Sequence, residues 1–485
     1  MKLSELLYGV EITDCRADPA LEIRDIAYDS RAVMPGDLFA ALPGFAADGH
    51  RFIPQALARG AAAVLCQRPP EAEIPYILTP DTRYALAIAS KNYYHRPTEH
   101  MAVAGFTGTN GKTTSTLLLK HVLERARGAK VGLIGTNGNR IGDVAIPSER
   151  TTPQSYELQK LFRAMADAGC SHAVMEVSSH ALDQQRVAGI RFAAGVFTNL
   201  TQDHLDYHGS MEAYAEAKAK MLPMCAAAAV NLDDPWGGYM SAAATGPVLG
   251  FGEENPAAAL RASSVALLPA GVEFDAEGEG ERVHVSLGIP GRFSVYNALG
   301  VLAAAKLLGI PLAEAAASLA SAPGVPGRME RVGTDGDYTI LIDYAHTPDA
   351  LENALRALRE TAPGRVVAVF GCGGDRDRGK RPQMGRIAAA LADFAVVTSD
   401  NPRTEDPEAI IGEIIAGIEA PGERWTAIPD RAEAIEYAIE NHRPGDVILL
   451  AGKGHETYQE IHHVKYPMDE REIVRGILEK RKRKL

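Results

Sequence analysis

Short apolar runs alternate with longer amphipathic stretches in the middle of the chain. The clearest runs are 101–106, 130–134, 172–177 and 193–197, and helical patterns lie between them. Apolar runs of this length predict buried strands, and their alternation with helices is the βαβ rhythm of a mostly parallel sheet. In such a sheet the ligand site lies at the carboxyl ends of the strands.

The two ends of the chain show the same alternation in different forms. Near the start, shorter runs separated by turn residues predict a small α/β unit, and they lie at 23–28, 38–42, 61–66 and 76–78. Near the end, longer runs with helical patterns between them predict a second βαβ unit, and they lie at 338–343, 365–370, 394–398 and 446–451. The pattern therefore predicts three units.

The later part of the central unit departs from this rhythm. Period-two alternation within 261–287 predicts an antiparallel hairpin, and an Ala/Leu-rich helix is predicted to start near residues 296–297. The segment 323–327 is rich in Pro and Gly and is typical of a hinge.

Composition fits this organisation. A chain of 485 residues is too long for one ordinary core, and a hydrophobic share of 46% is normal for a globular protein. No apolar run approaches the about 18 residues that span a bilayer, so we expect a cytoplasmic protein without membrane contact. Five scattered cysteines are expected to be reduced thiols. The net charge of −12 argues against a nucleic-acid partner, and the basic segment 480–484 is expected to be a solvated, disordered tail.

The most specific pattern lies directly after run 101–106. Residues 107–114 read Thr-Gly-Thr-Asn-Gly-Lys-Thr-Thr and lead into a helical pattern. In phosphate-binding loops of this type, backbone N–H groups surround phosphate oxygens, the lysine reaches the outer phosphates, and the threonine hydroxyl binds Mg²⁺. The usual motif has glycine where this chain has Phe106, so Gly108 is expected to supply the early turn. Residues 107–114 are therefore named the phosphate loop. The residues predicted to hold a nucleoside triphosphate are Gly108, Thr109, Asn110, Gly111, Lys112, Thr113 and Thr114.

A carboxylate and a polar cluster follow the next predicted strands. Glu176 lies near the end of run 172–177, and burying a carboxylate without a cation is costly. A Mg²⁺ ligand opposite the phosphate loop is therefore favoured over a salt-bridged core glutamate. Segment 197–208 is dense in groups that bind metals or donate hydrogen bonds. By spacing alone, Lys218 and Lys220 on the predicted helix 211–222 belong to a solvated face.

Polar segments also follow the four predicted strands of the third unit, at 343–348, 371–376, 400–403 and 452–456. The carboxyl ends of parallel strands meet at one edge of a sheet, so these loops are expected to line a single face. Four polar loops together favour a ligand cleft over solvent-exposed turns.

Taken together, these motifs resemble those of the Mur ligase family, ATP-dependent enzymes that form amide bonds in peptidoglycan precursor synthesis. The resemblance runs from residue 29 to residue 456 and is most specific at 107–114, 175–180, 203–208, 343–348 and 400–403. It implies an α/β fold in three domains: 1–98 for the UDP end of the substrate, 99–327 as the central P-loop ATPase, and 328–485 as a Rossmann-like domain for the amino acid.

The resemblance also implies roles for single residues. Lys218 matches an N-carbamoylated lysine whose carbamate can bind Mg²⁺, which replaces the solvated-face interpretation. The implied catalytic residues are Lys112, Glu176, His204 and Lys218, and the implied Mg²⁺ contacts are Thr113, Glu176, His204 and Lys218. Further implied ATP contacts are Asn297 on the adenine side, Arg328 on the phosphate side and Asp343 at the ribose.

Substrate contacts follow in the same way. Without the resemblance, the turn 29–31 is more often a polar turn than a site. With it, Ser30 corresponds to a uridine contact, and the implied contacts of the muramoyl-dipeptide are Thr151, Thr152, Ser178, Gln184 and Arg186.

The segment Asp400, Asn401, Pro402 and Arg403 resembles the signature of members that add meso-diaminopimelate, with Arg376, Gly452 and Glu456 completing the pocket. Diaminopimelate differs from lysine by a distal carboxylate, which a guanidinium binds bidentately. A lysine side chain would instead bring an ammonium towards Arg403, and like charges in a closed cleft oppose binding.

The resemblance thus implies ATP and Mg²⁺ as cofactors, UDP-N-acetylmuramoyl-dipeptide and diaminopimelate as substrates, an acyl-phosphate intermediate, and a monomer. A lysine-adding relative or a folate polyglutamate-type ligase remains the nearest alternative. A nucleotide-gated switch is less favoured because the third unit's polar loops suit a small zwitterion and no Asn-Lys-x-Asp stretch occurs. A non-catalytic homologue is disfavoured because the implied catalytic residues are all present.

Overall fold

The computed structural model describes residues 1–484 except 45–46, 72, 149, 269 and 419–423. Over these residues the strands form sheets of five, eleven and six strands in chain order, and a separate two-stranded hairpin. The three predicted α/β units therefore each contain a sheet. No described helix is long and apolar enough to cross a membrane.

The first sheet contains all four runs predicted near the start of the chain and one short strand that the pattern did not predict, β1. Its order is β1-β5-β4-β3-β2, with β1 antiparallel to β5 and the other pairs parallel. The elements are β1 (Asp14–Cys15), β2 (Ile26–Ala27), β3 (Leu38–Ala40), β4 (Ala63–Cys66), β5 (Tyr76–Leu78), α1 (Leu3–Leu6), α2 (Ile53–Ala58) and α3 (Thr82–Tyr93).

The central sheet has the order β16-β15-β14-β13-β12-β11-β6-β10-β7-β8-β9. Its strands are β6 (Ala102–Thr107), β7 (Val131–Ile134), β8 (Asn139–Ile141), β9 (Val144–Ile146), β10 (His172–Glu176), β11 (Ala194–Phe197), β12 (Ala228–Asn231), β13 (Val248–Gly252), β14 (Leu260–Leu268), β15 (Gly271–Gly278) and β16 (Glu281–Leu287). Its helices are α4 (Lys112–Arg127), α5 (Ser155–Asp167), α6 (Ser179–Asp183), α7 (Leu205–His208), α8 (Met211–Ala219), α9 (Gly237–Ala243), α10 (Phe293–Leu307) and α11 (Leu312–Ala320).

Strand β6 occupies the position that matters for ligand binding. It is parallel to β10 on one side and to β11 on the other. The chain runs from β6 to β7 on the β10 side and later crosses from β10 to β11 on the opposite side. A crevice opens at such a reversal, at the carboxyl end of the strand. Its buried Phe106 packs in one core cluster with residues of α4 and α10, including Leu118 and Leu302, which fixes the start of α4 at that crevice.

Two predictions in this unit are wrong in detail. Segment 261–287 does not form one hairpin: β14, β15 and β16 are three antiparallel strands that extend the sheet. Glu279 and Gly280 both have positive φ, at 51° and 82°, and form the tight turn between β15 and β16, the second turn of this segment. The alanine-rich helix α10 begins at Phe293, earlier than predicted.

The third sheet has the order β17-β18-β22-β19-β20-β21 and is parallel except for β17. Its elements are β17 (Glu330–Val332), β18 (Tyr338–Asp343), β19 (Val366–Phe370), β20 (Phe394–Val397), β21 (Trp425–Ala427), β22 (Asp446–Ala451), α12 (Pro348–Thr361), α13 (Lys380–Leu391), α14 (Pro407–Ile415), α15 (Arg431–Glu440) and α16 (Glu470–Lys484). The hairpin consists of β23 (Tyr458–Ile461) and β24 (Val464–Pro467). Because β18, β22, β19 and β20 are neighbours, the prediction that their four polar loops share one edge is confirmed.

The expectation of a disordered basic tail is wrong. Helix α16 continues to Lys484, and Arg481 holds it to the rest of the third unit by an ion pair with Asp335 and a hydrogen bond to the Ile439 carbonyl. Anchoring of this kind keeps a chain terminus ordered.

Candidate active site

The loop between β6 and α4 requires glycine at two places. Gly108 and Gly111 have φ of 148° and 85°. A Cβ at Gly108 would lie 1.9 Å from the Thr198 hydroxyl, and one at Gly111 would lie 2.3 Å from Oδ1 of Asn297. A side chain at either position would therefore collide with its neighbours, and Gly108 provides the positive φ of the early turn.

Lys112 lies within this loop. Its Nζ donates hydrogen bonds of 2.8 Å to the carbonyls of Gly108 and Thr109. Burial lowers the pKa of Lys112, although the nearby carboxylates of Glu176 and Asp203 act in the opposite direction. The ammonium is thus held against backbone oxygens at the N-terminus of α4, where the helix dipole also favours an anion.

Glu176 lies beside the same helix start. It is buried, and its carboxylate accepts hydrogen bonds from the Thr113 hydroxyl at 3.0 Å and from the backbone N–H and hydroxyl of Thr136 at 2.8 and 3.1 Å. Nη2 of Arg328 donates to the Thr113 hydroxyl at 3.2 Å. Three predicted residues from two units of the chain therefore meet at this point.

Lys218 does not lie on the solvated face that its spacing indicated. It is buried under the phosphate loop, and its Nζ donates a 2.8 Å hydrogen bond to the Gly108 carbonyl, which also accepts from Lys112. The ammonium lies 4.4 Å from the centroid of the Tyr214 ring. Burial and the neighbouring charge of Lys112 bring the pKa of Lys218 well below its usual range. An amphipathic pattern could not reveal this, because α8 is short and rich in alanine.

His204 is the N-cap residue directly before α7 and has a φ of 53°, and its Nε2 lies 3.4 Å from the Asp203 carboxylate. Burial lowers the pKa of His204. Its ring meets that of His180 at a centroid distance of 4.9 Å. In the described part of the chain, no three side chains of the types His, Cys, Asp and Glu come close enough to hold a metal by themselves.

A cavity of about 320 Å³ opens between the phosphate loop and the third unit. Predicted residues from both sides line it: Asn110, Gly111, Thr114, Asn297, Arg328 and Asp343. Burial raises the pKa of Asp343, whose carboxylate accepts a 2.7 Å hydrogen bond from the Met329 N–H. Nδ2 of Asn110 donates to the Asp349 carboxylate at 2.8 Å, which directly connects the two sides of the cavity.

Sequence reasoning missed other residues of this cavity: Asn231, Asp233, Asp234, Tyr296 and Asn353. The Asp233 carboxylate accepts the backbone N–H groups of residues 253, 254 and 255 and the Tyr296 hydroxyl. Burial raises the pKa of Asp233, but these donors outweigh it and the pKa lies below its usual value. The signal was available: 228–230 is an apolar run followed by Asn-Leu-Asp-Asp, the same strand-end pattern used elsewhere.

The residues predicted for the muramoyl-dipeptide form one group. The Thr152 hydroxyl donates to the Glu176 carbonyl at 2.8 Å and accepts from the Ser178 N–H at 3.1 Å. Arg186 donates from Nη1 to the Thr152 carbonyl and from Nη2 to Oε1 of Gln184. Thr151 extends the group through its hydroxyl contact of 3.0 Å with Thr136. The structure thus places these residues beside Glu176.

Ser30 lies apart from that group, in the first unit, where its hydroxyl donates a 2.8 Å hydrogen bond to Oε1 of Gln55. The first unit is nevertheless attached to the central one, because the Tyr28 hydroxyl donates to Glu157 and the Tyr156 hydroxyl donates to Asp25.

The third unit gathers the residues predicted for the amino acid. Nδ2 of Asn401 donates to the Glu456 carboxylate at 2.9 Å, and Nζ of the buried Lys453 donates to both side chains, at 2.8 and 2.7 Å. Burial raises the pKa of Asp400, but Lys453 and Arg431 outweigh it and lower the pKa below its usual value. The surroundings of the loop 400–403 therefore carry both positive and negative charges.

The two ends of this pocket differ in exposure, because Gly452 is buried and Arg376 is exposed. A Cβ at Gly452, which has a φ of 119°, would lie 2.5 Å from the Asp400 carboxylate, so glycine allows the two loops to approach. Pro402 precedes Arg403, whose Nη1 donates to the Gly374 carbonyl at 2.8 Å. Arg376 is exposed and lies beside Arg403 across Gly373.

Family models match all three units. The Mur ligase family, catalytic domain model matches residues 22–97, the Mur ligase middle domain matches residues 106–305, and the Mur ligase, glutamate ligase domain matches residues 327–454. A UDP-N-acetylmuramoyl-L-alanyl-D-glutamate--2,6-diaminopimelate ligase of Clostridium botulinum is 44% identical over 486 residues, which cover 99% of each chain.

Solved structures agree with this assignment. A structure described as a UDP-N-acetylmuramoyl-L-alanyl-D-glutamate--2,6-diaminopimelate ligase is 33% identical, has a TM-score of 0.74 and is matched over 99% of each chain. A MurF ligase from Thermotoga maritima, solved in complex with ADP, is 21% identical with a TM-score of 0.63 over 96% of this chain and 99% of its own, which bears on the fold alone. The chain therefore belongs to the Mur ligase family.

Proposed function

We propose that the protein joins meso-2,6-diaminopimelate to the D-glutamate of UDP-N-acetylmuramoyl-L-alanyl-D-glutamate, in an ATP-dependent reaction of peptidoglycan precursor synthesis. The observation that carries this proposal is the 44% identity, over 99% of both chains, to a ligase of that description. The site supports it, because a phosphate loop, a nucleotide-sized cavity and a charged amino-acid pocket follow one another across the central and third units.

The nucleotide is assigned to the cavity between the two units. Lys112 and the loop N–H groups would hold the β- and γ-phosphates, and Arg328 lies on the phosphate side beside Thr113. Asn297 would contact the adenine, and Asp343 would accept a hydrogen bond from the ribose. Asp233 and Tyr296 line the same cavity and would border the nucleoside.

The residues present also fit Mg²⁺. The Thr113 hydroxyl and the Glu176 carboxylate are oxygen ligands 3.0 Å apart, and Glu176 is buried with no basic side chain of the described residues hydrogen-bonded to it. Oxygen donors of this kind suit Mg²⁺, which also keeps waters and phosphate oxygens as ligands. His204 and Lys218 would complete the set, Lys218 as its carbamate. When bound, the ion would neutralise charge on the transferring phosphoryl group.

The proposed reaction needs little covalent chemistry from the protein. A carboxylate oxygen of D-glutamate attacks the γ-phosphorus of ATP, the bond to ADP breaks, and an acyl phosphate forms. The amine of diaminopimelate then attacks the acyl carbon, loses a proton, and expels phosphate through a tetrahedral intermediate. Lys112 and the loop N–H groups stabilise the phosphoryl charge, and the third unit positions the amine and excludes water.

The remaining assignments follow the order of the units. Residues 1–98, with Ser30, would bind the uridine end, and the group around Thr152 and Arg186 in residues 99–327 would bind the muramoyl-dipeptide. Residues 328–485 would bind diaminopimelate, with Arg403 facing its distal carboxylate. Since one chain supplies every assigned side chain, we infer an active monomer, and its ATP-dependent, UDP-linked chemistry suits the cytoplasm.

The test is a pair of reactions with ATP and UDP-N-acetylmuramoyl-L-alanyl-D-glutamate, one with meso-diaminopimelate and one with lysine. Mass spectrometry of the products should find the diaminopimelate adduct as the dominant species, and phosphate release should depend on the amino acid. A dominant lysine adduct would instead establish the lysine-adding activity, and amino-acid-independent phosphate release would indicate a nucleotide switch.

A further inference from the structure

The hairpin of β23 and β24 lies against the loop 400–403 and is hydrogen-bonded to it. The Arg403 N–H donates to the Glu460 carbonyl at 3.0 Å, and the His462 N–H donates to the Arg403 carbonyl at 2.8 Å. Nε2 of Gln459 donates to the Asp400 carbonyl at 2.7 Å, and the Glu460 N–H donates to Oδ1 of Asn401 at 2.9 Å. One short strand thus contacts three of the four residues of the loop.

These contacts maintain an unusual backbone at Arg403. Its φ is 50°, in the left-handed region that residues other than glycine rarely adopt. The pair of backbone hydrogen bonds on either side of Arg403 keeps this conformation in place. Non-glycine residues in this region are over-represented at functional sites, because the surrounding structure must specify them.

The hairpin also holds the Arg403 side chain. Nε of Arg403 donates to the Glu460 carboxylate at 3.1 Å, and Nη1 donates to the Gly374 carbonyl at 2.8 Å. Both side chains are largely enclosed, at 17% and 21% exposure. Among the described residues, Nη2 of Arg403 has no hydrogen-bond partner. The two contacts therefore fix the plane of the guanidinium and leave its outer edge for a ligand.

Resting on the proposed function, we propose that Glu460 is a positioning residue for the choice of amino acid. It occupies the Nε side of the Arg403 guanidinium, so that the remaining N–H groups at the outer edge receive the distal carboxylate of diaminopimelate. A long, rotamer-rich side chain loses conformational freedom when it binds a ligand, and a preformed contact removes most of that cost. Lysine has no distal carboxylate, so this preorganisation does not improve its binding.

Two substitutions separate the parts of this contact. Glu460→Ala removes both the charge and the acceptor, and Glu460→Gln keeps an oxygen that accepts from Nε. The matched control is Glu472→Gln, because Glu472 also pairs with an arginine, Arg475, but lies exposed on α16. Steady-state kinetics with diaminopimelate and with lysine, together with thermal melting of each variant, would be measured for all chains.

Glu460→Ala should raise the KM for diaminopimelate by about tenfold, the usual size of one charge-assisted hydrogen bond, and leave kcat within about twofold. The KM for lysine should change by less than about twofold. The preference for diaminopimelate over lysine should therefore fall by nearly the same factor as the KM for diaminopimelate rises. Glu460→Gln should show about a threefold effect because it retains a neutral hydrogen bond. The Glu472→Gln control should match the unsubstituted chain.

Combination with Arg403→Ala gives the decisive measurement. Because Glu460 is inferred to act through Arg403, Glu460→Ala should add nothing to the KM in the Arg403→Ala background. A full additional effect there, or an equal change for both amino acids, would overturn the inference while the proposed function stands. Failure of the unsubstituted chain to form the diaminopimelate product would overturn both.

Discussion

Lys112→Ala is expected to abolish most of the activity without unfolding the protein. Nζ of Lys112 makes two 2.8 Å hydrogen bonds to loop carbonyls, and phosphate oxygens would replace these acceptors when ATP binds. Hydrogen bonds to a charged group contribute about 1.5–3 kcal/mol, so the KM for ATP should rise about 10–100-fold. Removing a donor to transition-state charge lowers kcat about 100–1,000-fold. The value of kcat/KM should therefore fall about 10³–10⁵-fold.

Stability should change far less than activity. Burial lowers the pKa of Lys112, which means that its ammonium is poorly solvated in the folded protein. Its removal relieves that desolvation and at the same time removes two hydrogen bonds, and these two effects on stability oppose each other. We therefore expect the melting temperature to stay close to that of the unsubstituted chain.

The assay is phosphate release coupled to diaminopimelate addition, measured over a range of ATP concentrations. Lys130→Ala is the control, because Lys130 is an exposed lysine next to β7, at the opposite end of the central sheet from the phosphate loop. Near-normal turnover by Lys112→Ala would refute the assignment of the loop to ATP. Loss of activity accompanied by a large fall in melting temperature would instead point to a structural role.

Three further substitutions test other parts of the site. Arg403→Ala should reduce discrimination between diaminopimelate and lysine by about 10–100-fold in paired kinetics, since one charged hydrogen-bonding group is lost, and unchanged discrimination would contradict the pocket assignment. Gly111→Ala should raise the KM for ATP, because φ is 85° and the new Cβ would lie 2.3 Å from an amide oxygen, whereas Gly128→Ala, with φ of 58° and open space, should not. The Arg381 guanidinium lowers the pKa of Glu405 to about 2, and such a depressed pKa stabilises the fold above the unfolded-state pKa of 4.5. In urea unfolding, Glu405→Gln should therefore lower the free energy of unfolding by about 1–2 kcal/mol at pH 7, a value that allows for partial solvent screening. This loss of stability should shrink as the pH falls from 4.5 towards 2. Equal stability of the two proteins at pH 7 would contradict this reasoning.

The elements that carry the phosphate loop could be predicted from the sequence because their signals are local. An apolar run before a glycine loop and a helical pattern after it specify β6 and the start of α4 within a residue or so. Strands β18 and β22 were also predicted with their observed bounds, because buried parallel strands form continuous apolar runs. Because neighbouring parallel strands end at the same edge of a sheet, the shared position of the four polar loops could be predicted as well.

Other features depend on contacts that the local pattern does not contain. Lys218 is buried against the Gly108 carbonyl, its hydrogen-bond acceptor, which is far away in the sequence. The strand-end pattern marks Asp233 as a candidate, but its place in the site depends on β12 lying next to β11, an order that sequence alone does not give. Glu460 was not singled out, since its importance arises only when the hairpin folds against Arg403.

The phosphate loop and the third unit are joined by contacts at the residues that would handle phosphate. Arg328 follows the predicted hinge 323–327 and donates to the Thr113 hydroxyl, which itself donates to Glu176. Asn110 reaches Asp349 at the start of α12. A movement of the third unit would therefore change hydrogen bonding at the proposed phosphate and Mg²⁺ contacts directly. Since the same unit carries Arg403, the proposed amino-acid pocket and the proposed phosphoryl-transfer site cannot be positioned independently, and ATP chemistry should depend on how the third unit is placed.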